Sequence, residues 1–346
     1  MSLINLLKKK CTRQLFTTPS HSGRFFIVSK FRQFYKYDIS ETDEYNPQEA
    51  LDKAEKFASK VYGTKQTIFL TNGSTSGIIT AVLACCKKDD GVLLWENAHP
   101  CHHNAVYLAG VKPYYYTLKT IENWGIPDKF DSETLDKYLT KDNIKAVIVT
   151  SPTYEGVTSD IKELKKVCQK HGAYLIVDEA HGALYPFSEK LPDSAVKIAD
   201  FTVQSLHKTA GGLNPTALLH TNTDFDIKET LSKINTTSPS YPLLASIEAN
   251  IRFLNSSRGR KILNKLLDEL KEIQKNCTNY EIYAPDITKI NLKRNGLTGF
   301  ELSEILYDKF KIEDEKTNEI STLLLSGIGT DNLKLERLKK LFKKRL

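Results

Sequence analysis

The chain has 346 residues, 40% of them hydrophobic, which allows a large buried core and fits two domains better than one. Its formal charge of +7 is a modest excess, partly gathered near the C-terminus, and no zinc-finger spacing, RNA-binding aromatic signature or Gly-rich nucleotide fingerprint accompanies it, so nucleic acid is not the expected partner. No apolar run approaches the ~20 residues that cross a bilayer, and the six cysteines form neither a disulfide framework nor a CxxC pair.

The start, MSLINLLKKKCTRQ, places its apolar segment before its basic one, the reverse of a secretory signal, so a cytoplasmic location is expected. Residues 1–45 read as an arm: a short amphipathic helix, a TTPSHSG loop carrying His21, and an aromatic-basic stretch. Helical spacing of Ala50, Leu51, Ala54, Phe57, Ala58 and Val61 behind Pro47 predicts a helix over 46–61. A strand follows at 67–70, then the hydroxyl-rich loop 71–77 (TNGSTSG) and an apolar helix over 78–86. A strand, a hydroxyl-rich turn and a helix N-terminus together suit an anion such as phosphate, because unpaired backbone N–H groups point outward there; an ordinary Ser/Thr cap is the alternative.

Strand and helix signals then alternate: strands at 92–95, 113–117, 146–150 and 173–177, helices at 103–109, 132–139 and 160–170. That alternation predicts an α/β fold with a mostly parallel central sheet and helices on both faces, in which ligands sit beyond the carboxyl ends of the strands. The loops 71–77, 96–103, 151–156, 178–182 and 205–212 all leave strands at that end. The loop ENAHPCHH contains His99, His102 and His103, which could serve zinc or lie flat against an aromatic ring; Pro100 interrupts an HxxxH helix face, and the ring is the preferred occupant. Beyond a strand at 216–220, the 235–242 loop leads into helices over 243–254 and 260–276. A smaller α+β region follows, with strands at 287–292 and 321–325 and a helix over 299–310. The expected division is an arm (1–45), a large domain (46–255) and a small C-terminal domain (256–346).

The centre of the pattern is 173–208. The apolar run AYLIV ends in Asp178, and a second short strand, 201–203, leads into Ser205-Leu206-His207-Lys208. A lysine whose pKa is lowered by burial or by other cations forms a Schiff base with a carbonyl. A carboxylate at a neighbouring strand exit can hold a pyridinium nitrogen protonated, which is the electronic control of a pyridoxal phosphate (PLP) enzyme. Taken singly, an acid at a strand end or a Ser-x-His-Lys string is ordinary; together with the loops above they point to one PLP site.

The stretches TTPSHSG, YKYDIS, LTNGSTSG, ENAHPCHH, SPTYEGV, VDEAHGA, QSLHKT and TTSPSYPLLAS, with TGFELSE and LLLSGIG more weakly, resemble in order the PLP-dependent ornithine/lysine/arginine decarboxylases of the aspartate-aminotransferase-like fold, fold type I. The resemblance implies that Lys208 carries the cofactor, Asp178 pairs with the pyridine nitrogen and His99 stacks on the ring. It further implies that Ser74, Thr75, Ser76, Ser205 and His207 hold the phosphate, and that Ala180 and His181 lie near the opposite ring face. Thr236 or Thr237 would reach the phosphate of a partner subunit in a homodimer. The implied reaction removes CO₂ from lysine, arginine or ornithine, giving a diamine or polyamine precursor, with His181 and His99 as candidates for the Cα proton donor. Departures stand at Ser20, Asn46, Leu184 and Asn214, and the chain is shorter than the large decarboxylases. Another PLP reaction, such as transamination or aldol cleavage, or a catalytically idle regulatory paralogue, are the alternatives.

Overall fold

The computed structural model describes residues 2–8, 37–39, 46–141 and 143–343. Most of the arm, including His21 and Ser20, lies outside the described residues, as do the last three positions. A first helix, α1 (Leu3–Lys8), turns Leu3 and Leu6 inward, and the Leu3 N–H donates to the buried Glu248 carboxylate at 2.8 Å. Helix α2 (Pro47–Tyr62) begins with Asn46 as its cap, whose side chain accepts from Glu49 N–H, and ends at Gly63 in the left-handed conformation that glycine adopts without penalty.

The large sheet contains seven strands: β1 (Gln66–Leu70), β2 (Gly91–Trp95), β3 (Lys112–Tyr116), β6 (Ile144–Thr150), β7 (Tyr174–Asp178), β8 (Phe201–Ser205) and β9 (Ala217–Thr221). A separate two-stranded ribbon pairs β4 (Thr120–Ile121) with β5 (Ile126–Pro127). The order across the large sheet is β1-β9-β8-β7-β6-β2-β3. All neighbours from β8 to β3 are parallel, while β9 is antiparallel to both β8 and β1. Two reversals therefore bring β1 back to the direction of β8, and the loops after β1, β2, β6, β7 and β8 open on one rim. The central strands carry near-continuous apolar runs because helices cover both faces. Ile148 and Ile176 pack with helices α3 (Gly73–Cys85) and α4 (Pro100–Ala109) on one face; Val147 and Leu175 pack with α5 (Ser132–Lys141) and α6 (Ile161–His171) on the other.

Two helices start earlier than their sequences suggest. The predicted 71–77 loop is largely the first turn of α3, which begins at Gly73 rather than at residue 78. Serine and threonine read as turn formers because their hydroxyls compete for backbone groups. Here that competition is satisfied inside the helix: Ser76 Oγ donates to Gly73 O at 2.9 Å and Thr80 Oγ1 to Ser76 O at 2.7 Å. Gly77 is required by close approach, since a Cβ there would stand 2.8 Å from Val203 Cγ1 and 2.9 Å from Leu70 Cδ1. Pro100, read as an interruption, occupies the first helical position of α4, where its missing N–H costs nothing, and His99 caps that helix from outside.

After β8 come the four-residue helix α7 (Leu206–Thr209), strand β9 and the short helix α8 (Ile227–Ser232). Helices α9 (Tyr241–Asn255) and α10 (Ser257–Lys275) meet at Ser256, which ends one and caps the other. The C-terminal sheet is antiparallel, with β10 (Glu281–Tyr283), β11 (Lys289–Lys293), β13 (Thr322–Leu325) and β12 (Lys316–Thr317) in that order. Its core joins Leu266 and Leu270 of α10 to Ile290, Leu292 and Leu324, to Leu302 of α11 (Gly299–Ile305), and to Leu338 and Phe342 of α12 (Asn332–Lys343). The predicted 299–310 helix is α-helical only to Ile305 and continues as a π-helical turn, Leu306–Phe310. This small sheet reaches the Lys208 loop directly: Ile328 N–H donates to Thr209 O at 2.8 Å, and a Cβ at Gly327 would stand 2.5 Å from that oxygen.

Candidate active site

Strand exits from β2, β6, β7 and β8 converge on a cavity of about 240 Å³ lined by Ser74, His99, Tyr154, Asp178, Ala180, His181 and Lys208, with Glu155 and Lys316 on its wall. Lys208 rides on α7, and its Nζ lies 3.0 Å from His181 Nε2 and 5.4 Å from the centre of the Tyr154 ring. The Tyr154 and His181 rings pack at 4.4 Å. Burial lowers the Lys208 pKa from its ordinary value, and the nearby Asp178 charge opposes that shift. His181 is 4% exposed; burial, reinforced by the charges of Lys208 and Lys289, pushes its pKa well down and keeps it neutral.

Asp178 is anchored from two sides. His102 Nε2 lies 2.8 Å from Oδ2, and Ala180 N–H donates to Oδ1 at 3.0 Å. Burial alone would raise this carboxyl, but the hydrogen bond and charge of His102, helped by Lys208, outweigh it and hold the pKa at about 2. The ring behind Asp178 is thus His102, for which the resemblance implied no role. The sequence signal for it was present, since ENAHPCHH offers three histidines, but only the helical phase of α4 shows which one turns inward. His99 sits exposed at the rim, its Nδ1 accepting from Cys101 N–H at 3.2 Å, and partial burial lowers its pKa. Cys101, His102 and Asp178 also form the one His/Cys/acid cluster among the described residues compact enough for a metal, their ligand atoms within 4.8 Å. Burial pushes the Cys101 thiol up to about 12, so it stays protonated and is a poor metal ligand.

The expected phosphate residues divide into three groups. Ser74 lines the cavity at the first turn of α3, and Thr75 follows it in the same turn. Ser76 lies in that turn too, but its hydroxyl is committed to Gly73 O, which leaves backbone N–H as its contribution. Ser205 is buried at the end of β8 with its hydroxyl unpartnered, while His207 Nδ1 lies 3.1 Å from Thr216 O. The neighbouring Pro215 O accepts from Gly73 N–H at 2.8 Å, which ties the starts of α3 and α7 to one segment. Thr236 is exposed, accepts from Ser238 N–H at 3.1 Å, and lines a different cavity beside Glu55 and Lys228; one chain does not bring it to Lys208. Of the departing residues, Asn46 caps α2 and Leu184 is buried in the core, and neither lines the Lys208 cavity.

A second buried pair stands behind His181. Lys289 and Asp286 are both fully buried and joined in an ion pair; Lys289 Nζ donates to His181 O at 3.0 Å, and Tyr185 Oη donates to Asp286 at 2.7 Å. Sequence reasoning missed this pair, because 286–289 reads as the approach to an ordinary strand.

The fold and site define a class: a fold type I enzyme scaffold whose cofactor is pyridoxal phosphate. The residues fit that group. Unpartnered buried hydroxyls at Ser205 and Thr150, the open N–H groups at the start of α3, an ionised Asp178 and a lysine of lowered pKa are the donors and charges it requires. The chain belongs to the Orn/Lys/Arg decarboxylase family, whose major domain matches residues 7–291. It is 29% identical over 365 residues to an arginine decarboxylase of Bacillus subtilis (strain 168), covering 96% of this chain and 74% of that protein. An ornithine decarboxylase of Haemophilus influenzae is 27% identical over 274 residues, covering 68% of this chain and 37% of that one. The crystal structure of a lysine decarboxylase of Francisella novicida superposes with a TM-score of 0.85 at 19% identity; 98% of this chain is covered, but only 58% of that one. No helix among the described residues is long and apolar enough to cross a membrane.

Proposed function

We propose that this chain is a PLP-dependent decarboxylase of a basic amino acid (lysine, arginine or ornithine) that releases CO₂ and leaves a diamine or polyamine precursor. The observation that carries the reading is the cavity in which Lys208, neutral His181 and an ionised Asp178 converge, with His102 bonded to Asp178 from behind. When bound, the cofactor supplies an electron sink for the pair left on Cα as CO₂ departs. Asp178 would hold a proton on the pyridine nitrogen, and its own pKa of about 2 keeps it ionised for that role. Lys208 would tether the cofactor, with His99 stacked on the ring. Ser74, Thr75, Ser76, Ser205 and His207 would receive the phosphate, Ser76 through its backbone. His181, 3.0 Å from Lys208 Nζ, would pass a proton to or from that nitrogen; between it and His99, this contact favours His181 as the donor to Cα. The separation of Thr236 from its own chain's Lys208 supports a homodimer in which it serves the partner's phosphate. A cytoplasmic location completes the reading.

The test is to load the purified protein with PLP, record its visible absorbance, and add lysine, arginine and ornithine while trapping CO₂. Lysine-bound cofactor with CO₂ release from one of them, both lost in Lys208→Ala, supports the proposal. Absorbance without CO₂ moves the reading to another PLP reaction or to an idle paralogue. A wild-type protein that takes up no PLP sinks it.

A further inference from the structure

Among the described residues that line the Lys208 cavity, two are carboxylates, Asp178 and Glu155. Both Asp178 oxygens are engaged, by His102 and by Ala180 N–H. Glu155 differs. It is 4% exposed, its Oε1 holds Lys316 Nζ at 2.7 Å, and its Oε2 is buried with no hydrogen-bond partner. A carboxylate has about four acceptor sites, and leaving one oxygen buried and bare is costly. A group kept in that condition on a cavity wall is waiting for a donor.

The surroundings fix where that donor must come from. The Glu155 backbone is held rigidly: its carbonyl accepts from Asn291 Nδ2 at 2.9 Å, and Gly156, at φ +95°, lets the chain pass against Asp286 and Lys289. The carboxylate itself is buried and held through Oε1 by Lys316. Lys316 comes from the two-residue strand β12, its side chain half exposed and its Nζ 5.1 Å from the centre of the same Tyr154 ring that Lys208 approaches. One cation thus satisfies Oε1 from the solvent side, and Oε2 is left for a second cation. An ammonium brings three donors and a guanidinium a planar fork, and both prefer an ionised acceptor.

We propose that Glu155 is the specificity-determining residue of the cavity, its Oε2 receiving the distal cation of the amino-acid substrate while Lys316 holds Oε1. This rests on the reading of the chain as a basic amino-acid decarboxylase. It adds a residue for the word basic: the side chain that distinguishes lysine from norleucine, or arginine from citrulline, is Glu155.

The experiment uses the PLP-loaded full chain, wild type and Glu155→Gln. Steady-state KM and kcat are measured for the accepted basic amino acid and its neutral counterpart, and calorimetry gives Kd for 1,5-diaminopentane against pentylamine. Loss of one charged hydrogen bond predicts a KM for the cationic substrate raised about 10- to 100-fold with kcat much less changed, and a diamine-over-monoamine preference that collapses. Lys316→Ala, at a half-exposed position, separates the two side chains. It should keep or enlarge the cation preference, whereas loss of that preference in Lys316→Ala would assign recognition to Lys316 and overturn the proposal. If wild type releases CO₂ from a basic amino acid and Glu155→Gln leaves KM and the preference within about twofold, the Glu155 assignment falls and the decarboxylase reading stands. If wild type releases no CO₂, that reading falls instead, and the diamine preference still decides Glu155: equal binding of diamine and monoamine by wild type overturns it.

Discussion

Asp178 and Glu179 are successive residues at one strand end, both buried, and their carboxyls diverge: Asp178 is held at about 2, and Glu179 is pushed up to about 7. Burial acts on both in the same direction. The difference lies in what each region supplies. On the cavity side Asp178 meets the His102 ring nitrogen, 2.8 Å from its Oδ2, and the Lys208 ammonium. On the other side Glu179 meets mainly neutral donors, Ser194 Oγ, Ala195 N–H and Gln204 Nε2, at 2.6 to 2.7 Å. Those three hydrogen bonds do not offset the cost of burying a charge, and distant Lys289 adds little. At Glu179 three hydrogen bonds orient the acid without overcoming burial; at Asp178 the His102 hydrogen bond, with the nearby charge of Lys208, does overcome it.

The strongest way to break this comparison is to remove the Asp178 carboxylate. Asp178→Ala leaves His102 buried without its anion, and the expected loss is about 3–5 kcal/mol in urea unfolding, together with loss of productive cofactor binding. A variant that unfolds like wild type would show that the pair is not structurally coupled. Next in size is the pH response. The Glu179 pKa is raised above its ordinary 4.5, so its contribution to stability is complete below about 4.5 and is lost as pH rises through about 7. Glu179→Gln lacks that titration. Relative to wild type it should gain about 3 kcal/mol between pH 4.5 and pH 7, read from unfolding curves at several pH values. The Asp178 pKa is depressed below its ordinary 3.8, so its contribution is complete above about 3.8 and is lost as pH falls through about 2. The two slopes have opposite sign in separate windows, and a single slope across both would refute the contrast.

A smaller effect tests packing beside the site. Gly77→Ala forces a methyl against Val203 and Leu70, with an expected cost of about 1–3 kcal/mol. Smallest of all, and a control for charge in water, is Lys162→Ala. Its 3.1 Å pair with Asp193 is largely exposed on both sides, and thermal unfolding should shift by no more than about 0.5 kcal/mol in equivalent stability. A large effect there would mean that burial is not what separates strong pairs from weak ones in this protein.

Much of the rim was legible in the sequence. Asp178 and Lys208 follow apolar runs short enough to be buried strands, and a strand that ends in a charge marks where the chain leaves the sheet. The loops after β1, β2, β6, β7 and β8 follow from alternation alone. Element ends were less legible: α3 begins five residues before the predicted 78 because Ser76 and Thr80 turn their hydroxyls back on the helix, and α4 begins at a proline that looks like a break. Which histidine of ENAHPCHH meets Asp178 depended on that same α4 start, since each residue along the helix turns the side chain by about 100°. Lys289, Asp286 and Lys316 were not legible as site residues, and Glu155 only as part of the 151–156 rim loop, because their partners lie more than a hundred positions away.

The sequence by itself determined the alternating α/β plan, a lysine and an acid at neighbouring strand exits, and the family, because periodicity and short motifs are local properties of the chain. Only the tertiary structure decided which histidine bonds the acid, which hydroxyls stay free for an anion, and which carboxylate on the cavity wall has an oxygen to spare. Those are questions of burial and of partners brought together from distant strands. Proton affinities and unsatisfied donors exist only once water has been excluded and the neighbours are in place.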